Sequence, residues 1–526
     1  MNTTLLTSRW QRLPESLIRR LQAEKLGRYL RDVVLPFSAH YRELFRQRGL
    51  SAHSFRSLED LSKLPFTSKA DLTGSPAHPQ RAKDFILIPD ERILARRCST
   101  VFQVLRRGRE NVKRGFEAEF RPIFMTSTTG RSSEPIPFLF TGHDLANLAM
   151  AGRRLFEVCG GRRDFRMVNM FPYAPHLAYW QTHYGGIAFG ALVVGTGGGK
   201  VMGTEGNLRL IRKLKPDVLI GMPTFTYHVL HQAAEEGLRW ENLRRIVLGG
   251  EKVPDGMRSK LRRLAAETGS PEADVLVVYG FTEAKMAWAE CPHRDGLQPS
   301  GYHLYPDLGI VEIIDPQTGE GVPVGQPGEI VFTPLDARGT VVLRYRTGDF
   351  IDGGLTYEPC PGCGRRIPRL VGRISRSAEI KEMWLDKVKG TLVDFNQLEH
   401  VLDDLSGLGA WQVELRKRHD DPLEVDELIL HVQKTNASDG EQLVRDLNRR
   451  FAAETEIHPN RILFHTADEM RELQGVGRQL KEQKIVDHRP AAGQAPRPSS
   501  SAGTMASPSE RQEVCSTENE KIEVAA

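Results

Sequence analysis

The stretch Asp274–Glu290, DVLVVYGFTEAKMAWAE, limits the fold more than any other. Val275 to Val278 and Tyr279 form the short apolar, β-branched run of a buried strand, and Gly280 is expected to break it and deliver Phe281-Thr282-Glu283 into a loop. In open α/β sheets ligands gather at the carboxyl ends of strands. A hydroxyl beside a carboxylate there, Thr282-Glu283, suits a phosphate oxygen and a hard cation such as Mg²⁺, although a loop glutamate with no ligand is the plainer reading.

A chain of 526 residues is too long for one core, and two or three domains are expected. Seventy-two Lys and Arg against 67 Asp and Glu leave a dispersed net charge of +5, which excludes a nucleic-acid footprint. Apolar runs such as Ala191–Val194 and Val275–Tyr279 fall far short of the roughly 20 residues a membrane helix needs. With no apolar leader at the N-terminus and only six cysteines, a cytoplasmic, reducing compartment is the expectation.

From Trp10 to Arg31 apolar residues recur at helical spacing, and Ser57–Leu64 and Ser68–Thr73 repeat the pattern briefly. Beyond Phe120 short apolar runs alternate with amphipathic ones. Strands are expected at Phe138–Phe140, Met167–Met170, Ala191–Val194, Val218–Ile220, Arg245–Leu248 and Val275–Val278, with helices at Asp144–Cys159, Asn207–Lys215 and Gly256–Thr268. That alternation predicts an α/β sheet covered on both faces. After Pro299 GIVEIID, EIVFTP and VVLRYRTGDF predict a smaller antiparallel layer. The domains expected are 1–373, a large multi-layer α/β unit, and 374–489, a smaller mobile α+β unit with a strand at Leu428–Val432 and a helix at Asp439–Phe451. Pro490–Ala526, rich in Ala, Ser, Pro and Gly, is expected to be disordered.

Two further stretches carry chemistry. Met125–Pro137 packs Thr126, Ser127, Thr128, Thr129 and Gly130 into one turn, able to wrap a polyphosphate with N–H and O–H donors, though it lacks the Walker spacing. Leu343–Phe350, LRYRTGDF, ends a strand with Asp349 after Gly348, a carboxylate that can take two ribose hydroxyls, although a turn aspartate is the plainer reading of it alone.

In this order TSTTG, YGFTE about 150 residues later and YRTGD about 65 beyond resemble the adenylate-forming superfamily of acyl-CoA synthetases, adenylation domains and luciferases. Gly249-Gly250-Glu251 and Gly372-Arg373 fit the same pattern. The likeness is strongest to the phenylacetate-CoA ligase branch, through LPFTSKADL, NMFPYAPHLAYW and the cysteine-bearing insert near YRTGD. The resemblance implies two half-reactions. A carboxylic acid attacks the α-phosphorus of ATP to give an acyl-adenylate and pyrophosphate, and coenzyme A then displaces AMP; related branches use an amine or a carrier protein instead.

Carried over by residue, Thr126 to Gly130 would hold the β,γ-phosphates, Glu283 Mg²⁺, Thr282 the α-phosphate, and Asp349 with Arg373 the ribose. Gly249, Gly250, Glu251 and Tyr279 would border the adenine. A lysine of the C-terminal domain is implied at Lys481, with Lys484 as the fallback, and a hinge near Ile374–Arg376. Ser127 stands where the family often has glycine, and Ser375-Arg376 replaces the usual acidic hinge pair; both departures leave room for a catalytically weak nucleotide-binding homologue. Phe171, Tyr173, His176 and Phe281 are candidate walls for an aryl or arylacetic acid, or simply core.

Cys360-Pro361-Gly362-Cys363 and Cys291-Pro292-His293 could together close a tetrahedral, structural Zn²⁺ site, with His303 competing for the nitrogen position; reduced surface thiols are the alternative. The partners expected are thus a carboxylic acid, ATP and coenzyme A, with no nucleic acid and no membrane. A homodimer is compatible with the sequence.

Overall fold

The computed structural model describes residues 9–74, 78–128, 135–292, 299–376, 387–388, 391–392, 395–403, 405, 407–418, 426–435, 439–455, 458–476, 482–489 and 524–525. It divides into two compact units, Met1–Val253 with Arg258–Ile380, and Pro254–Met257 with Lys381–Ala526.

The first unit opens with helices α1 (Glu15–Tyr29), α2 (Ala39–Gln47), α3 (Cys98–Arg107) and α4 (Arg109–Phe120). Helix α1 begins later than the apolar periodicity because Pro14, at φ −68° and ψ 154°, precedes it in extended backbone. A hairpin of β1 (Pro122–Ser127) and β2 (Pro137–Thr141) leads into α5 (Gly142–Val158). Then come β3 (Arg166–Asn169), α6 (Leu177–Phe189), β4 (Leu192–Gly195), α7 (Gly198–Leu214), β5 (Val218–Gly221), α8 (Pro223–Glu235), β6 (Arg245–Gly249), α9 (Asp255–Glu267), β7 (Asp274–Phe281) and β8 (Met286–Ala289).

These strands form one sheet in the order β4-β3-β5-β6-β7-β8, parallel except for β8. The chain steps outward from β3 to β4 and then crosses back over β3 to β5. Right-handed crossovers therefore send α6 to one face and α7, α8 and α9 to the other. Helix α6 packs on α5 so closely that a Cβ on Gly152 would stand 2.5 Å from Gly185 Cα. The loops after β3 and β5 leave toward opposite faces, and between strands that part in this way an open α/β sheet has its crevice.

Every strand expected in this region is present, and β7 is longer than expected. It runs through Gly280 to Phe281, because β8 folds back along it and pairs Gly280 with Ala287. A Cβ on Gly280 would lie 2.4 Å from that of Ala287, so the glycine permits the pairing rather than ending the strand. Helices α6 and α8 are not among the expected helices; Pro223 occupies the first turn of α8, where its missing N–H costs nothing.

The remaining strands are β9 (Tyr302–His303), β10 (Gly309–Ile314), β11 (Gly328–Pro334), β12 (Tyr345–Ile351), β13 (Leu355–Thr356), β14 (Arg369–Leu370) and β15 (Ile374–Arg376). They make the antiparallel layer β10-β11-β12-β15 and a small sheet β13-β14-β9. The expected hinge, Ile374–Arg376, is strand β15, with Arg376 opposite Asp349. One buried cluster joins α1 and α2 to the hairpin and to Val341–Tyr345, so the N-terminal helices support the strand that carries YRTGD.

In the second unit a short pair, β16 (Lys387–Val388) and β17 (Thr391–Leu392), precedes α10 (Phe395–Asp403), β18 (Leu408–Lys417), β19 (Asp426–Lys434), α11 (Gly440–Thr455), β20 (Arg461–Phe464), α12 (Ala467–Leu473), β21 (Ile485–Asp487) and β22 (Val524–Ala525). The sheet order is β21-β18-β19-β20-β22. Alternate residues of β18 and β19 (Trp411, Val413, Leu415; Leu428, Leu430, Val432) face Leu398, Leu402, Leu447 and Phe451 of α10 and α11. The stretch expected to be disordered lies outside the described residues except for Val524–Ala525, which pair in parallel with Ile462–Leu463. No described helix is long and apolar enough to cross a membrane.

Candidate active site

The carboxyl ends of β1, β3, β6 and β7 and the face of β12 meet in the first unit. Glu283 sits in a single 3₁₀ turn, Thr282–Ala284, at the end of β7. Tyr345 Oη donates to Glu283 Oε1 at 2.6 Å, and Tyr279 Oη donates to Asp349 Oδ2 at 2.8 Å. Tyr345, Thr347, Asp349 and Ile351 alternate on the buried face of β12. That period of two places the support of Glu283 and the ribose-candidate carboxylate on one side of one strand. Two tyrosine hydroxyls therefore bond to the two acidic residues from neighbouring layers.

The Ser/Thr turn joins them through its backbone. Thr282 Oγ1 donates to the Ser127 carbonyl at 3.4 Å, and His176 Nδ1 lies 3.2 Å from the same oxygen. Thr128 Oγ1 accepts from Ile136 N at 3.0 Å and closes the mouth of the β1–β2 hairpin. Thr126 Oγ1 is buried and has no hydrogen-bond partner among the described residues, and neither has Glu251 Oε1. A buried polar atom without a partner is costly, and near the carboxyl end of a strand it fits a polar group of a ligand. The second carboxylate oxygen of Glu251 accepts from Thr224 N and Oγ1 at the start of α8, while Gly250 turns at φ 87°.

Around the crevice Phe171 is buried, and a Cβ on Gly249 would be in van der Waals contact with its ring, at 3.6 Å. Tyr173 Oη reaches the Gly195 carbonyl at 2.9 Å, and its ring meets Tyr179 edge-on. Phe281 packs among Tyr279, Trp288, Phe332 and Tyr345, which makes it a backing residue between two sheets rather than an open pocket wall. Arg373 pairs through its guanidinium with Asp352 at 3.1 Å, and its side chain is 71% exposed. Thr129, Gly130, His293 and Lys481 lie outside the described residues. Lys484 pairs with the buried Asp403 at 3.2 Å and lies over the Trp411 ring, so the fallback lysine is held within the second unit.

Replacing Tyr345 by phenylalanine removes one hydrogen bond to a carboxylate, worth about 1.5–3 kcal/mol when charged. A rise of about tenfold in the Mg²⁺ concentration for half-maximal activity is expected, with the melting temperature nearly unchanged, as a magnesium titration of the variant will show.

A second cluster lies where β8 ends. Cys291, His303, Cys360 and Cys363 bring three Sγ atoms and one imidazole nitrogen within 4.8 Å of one another. Cys291 Sγ is 3.6 Å from Cys360 Sγ, and Cys363 Sγ is 3.3 Å from His303 Nε2. Sulfurs bound at about 2.3 Å at the corners of a tetrahedron stand roughly 3.7 Å apart, so the spacing fits a zinc ion. His303 Nδ1 lies 3.1 Å from the Ala289 carbonyl, the outer contact that fixes a tautomer with Nε2 free to ligate. His303 supplies the nitrogen of the cluster among the described residues, and the expected ligand His293 lies outside them. Its β9 strand pairs with β14 beside the Cys360–Cys363 turn, a placement that sequence proximity to Cys291 does not reveal.

Residues 141–334 match the sequence model of the AMP-binding enzyme family. The chain is 28% identical over 397 residues to a phenylacetate-coenzyme A ligase of Thermus thermophilus, covering 74% of this chain and 76% of that one. It is 27% identical to a protein of the same name from Escherichia coli K12, over 73% of this chain and 76% of the relative. A solved 2-hydroxyisobutyryl-CoA ligase in the postadenylation state shares the fold at a TM-score of 0.67 and 20% identity, over 92% of each chain. By fold the chain is similar to the adenylate-forming CoA ligases. In sequence it is similar to enzymes named phenylacetate-coenzyme A ligase over about three quarters of its length.

Proposed function

We propose that this chain is an AMP-forming acid:CoA ligase that activates an aryl or arylacetic acid. The observation that carries the reading is the joining of the Ser/Thr turn to the Glu283 turn through the Ser127 carbonyl, with Glu283 and Asp349 each bonded to a tyrosine hydroxyl. Phosphoryl chemistry asks a protein chiefly for position and charge compensation. Thr126, Ser127 and Thr128 bind the β,γ-phosphates with hydroxyls and amides, and Thr282 bonds the α-phosphate. Asp349 accepts both ribose hydroxyls, and Gly249, Gly250 and Glu251 with Tyr279 border the adenine. Glu283 is the carboxylate that would hold Mg²⁺, which when bound offsets phosphate charge. Phe171 and Tyr173, beside the β3/β5 crevice, supply the aromatic lining for the acid. Lys481, from the second unit, supplies the cation that offsets charge on the attacking carboxylate and the α-phosphate. The acyl group then passes to the thiol of coenzyme A with loss of AMP.

Cys291, His303, Cys360 and Cys363 would hold Zn²⁺ with four protein ligands and no open position, a structural role. Acid-dependent ATP–pyrophosphate exchange, run against aryl, arylacetic and medium-chain acids, tests the assignment. Exchange with aryl or arylacetic acids is expected. Its absence with every acid, in protein that binds ATP, sinks the ligase reading.

A further inference from the structure

Lys285, two residues beyond Glu283, takes no part in the chemistry above and is nevertheless buried, with 6% of its surface exposed. It adopts φ 58°, a left-handed conformation that L side chains rarely hold. Its ammonium donates to the Leu139 carbonyl at 2.8 Å, lies 3.1 Å from Asp144 Oδ2, and sits 4.8 Å from the centre of the Phe140 ring. Leu139 and Phe140 belong to β2, paired with Met125 and Phe124 of β1. Asp144, in the first turn of α5, also accepts from Thr141 N, Gly339 N and Arg338 N. Burial lowers the lysine's pKa, and it opposes ionisation of Asp144 as well. The ammonium and the three amides outweigh it and hold that carboxyl below the usual range.

An apolar side chain would fill this path without desolvating a charge, so packing alone does not account for a lysine. What the ammonium connects is specific. One end of the side chain leaves the turn that carries Glu283, and the other is fastened to the hairpin that carries Thr126, Ser127 and Thr128. We propose that Lys285 is a positioning residue that fixes the carboxylate turn against the phosphate hairpin, so that metal and polyphosphate are held in one geometry. The proposal rests on the ligase reading, and it makes the salt bridge to Asp144 part of the active site's frame.

The test compares Lys285→Met, Lys285→Gln and Lys285→Arg with the wild-type chain by pyrophosphate exchange, magnesium titration and thermal melting. For the methionine variant, kcat falls about 30-fold, within the range that a misplacement of about 1 Å costs, and the half-saturating Mg²⁺ concentration rises several-fold while KM for the acid stays within about twofold. Arginine restores most of the loss. A folded Lys285→Met protein with wild-type kcat and magnesium dependence overturns the proposal. If methionine prevents folding, glutamine is judged by the same readouts.

Should the wild type show no exchange with any acid, the ligase reading fails separately. Amide hydrogen exchange then tests the clamp itself. Faster exchange at both Thr126–Thr128 and Thr282–Ala284 in a Lys285 variant supports it, and unchanged exchange at either stretch overturns it.

Discussion

Glu283→Gln is expected to lower acid-dependent pyrophosphate exchange by about 100- to 1,000-fold, the usual cost of removing one electrostatic stabiliser from a transition state. Glutamine keeps the shape of the side chain, and its amide oxygen still accepts from Tyr345 Oη, which lies 2.6 Å from Glu283 Oε1. What disappears is the negative charge. Mg²⁺ dehydrates reluctantly and binds through one or two carboxylates plus substrate phosphates, so a neutral amide at this position leaves the phosphates as its main anchor. The loss therefore appears mainly in kcat and in the magnesium requirement, and thermal melting stays near the wild-type value. Exchange within a few-fold of wild type would remove Glu283 from the metal-binding role and leave Asp349 to be examined next.

The sequence made the central sheet legible because each of its strands is a short apolar run bounded by polar turns, and a buried parallel strand needs nothing more. It was less informative where a residue's role depends on a partner far along the chain. Gly280 reads as a strand breaker until Ala287 is placed opposite it. Phe281 reads as a pocket wall until the antiparallel layer brings Phe332 and Tyr345 against it. The pairing of Arg373 with Asp352, 21 residues earlier, is likewise set by the fold and not by the local motif. Tyr345 was within reach of sequence reasoning, since period-two alternation along YRTGD puts it on the same face as Asp349. Lys285 was not, because nothing local links it to Asp144, 141 residues before it.

The metal cluster gives the second large effect, and it falls on stability rather than rate. Purified protein is expected to carry about one zinc per chain, and Cys363→Ser to lose it. If free zinc stands near 1,000 times the dissociation constant, binding contributes about 4 kcal/mol to the folded state. At about 2–4 °C per kcal/mol for domains of 150–250 residues, a fall of roughly 8–16 °C in melting temperature follows, at the lower end for so long a chain. Exchange activity at 25 °C should change by less than about threefold, because the cluster is far from the carboxylate turn. Met286, paired with Phe281, and Ala289, paired with Val278, mark the two ends of β8, and Cys291 lies beyond the second. Five residues of extended chain from Met286 to Cys291 span about 15 Å. The four ligands join the end of β8, the β9 strand and the turn after β13, so losing the metal frees that edge of the fold and leaves the Glu283 turn in place. A serine variant that retains zinc and melts with the wild type, as read by metal analysis and calorimetry, would reduce the cluster to a set of buried thiols.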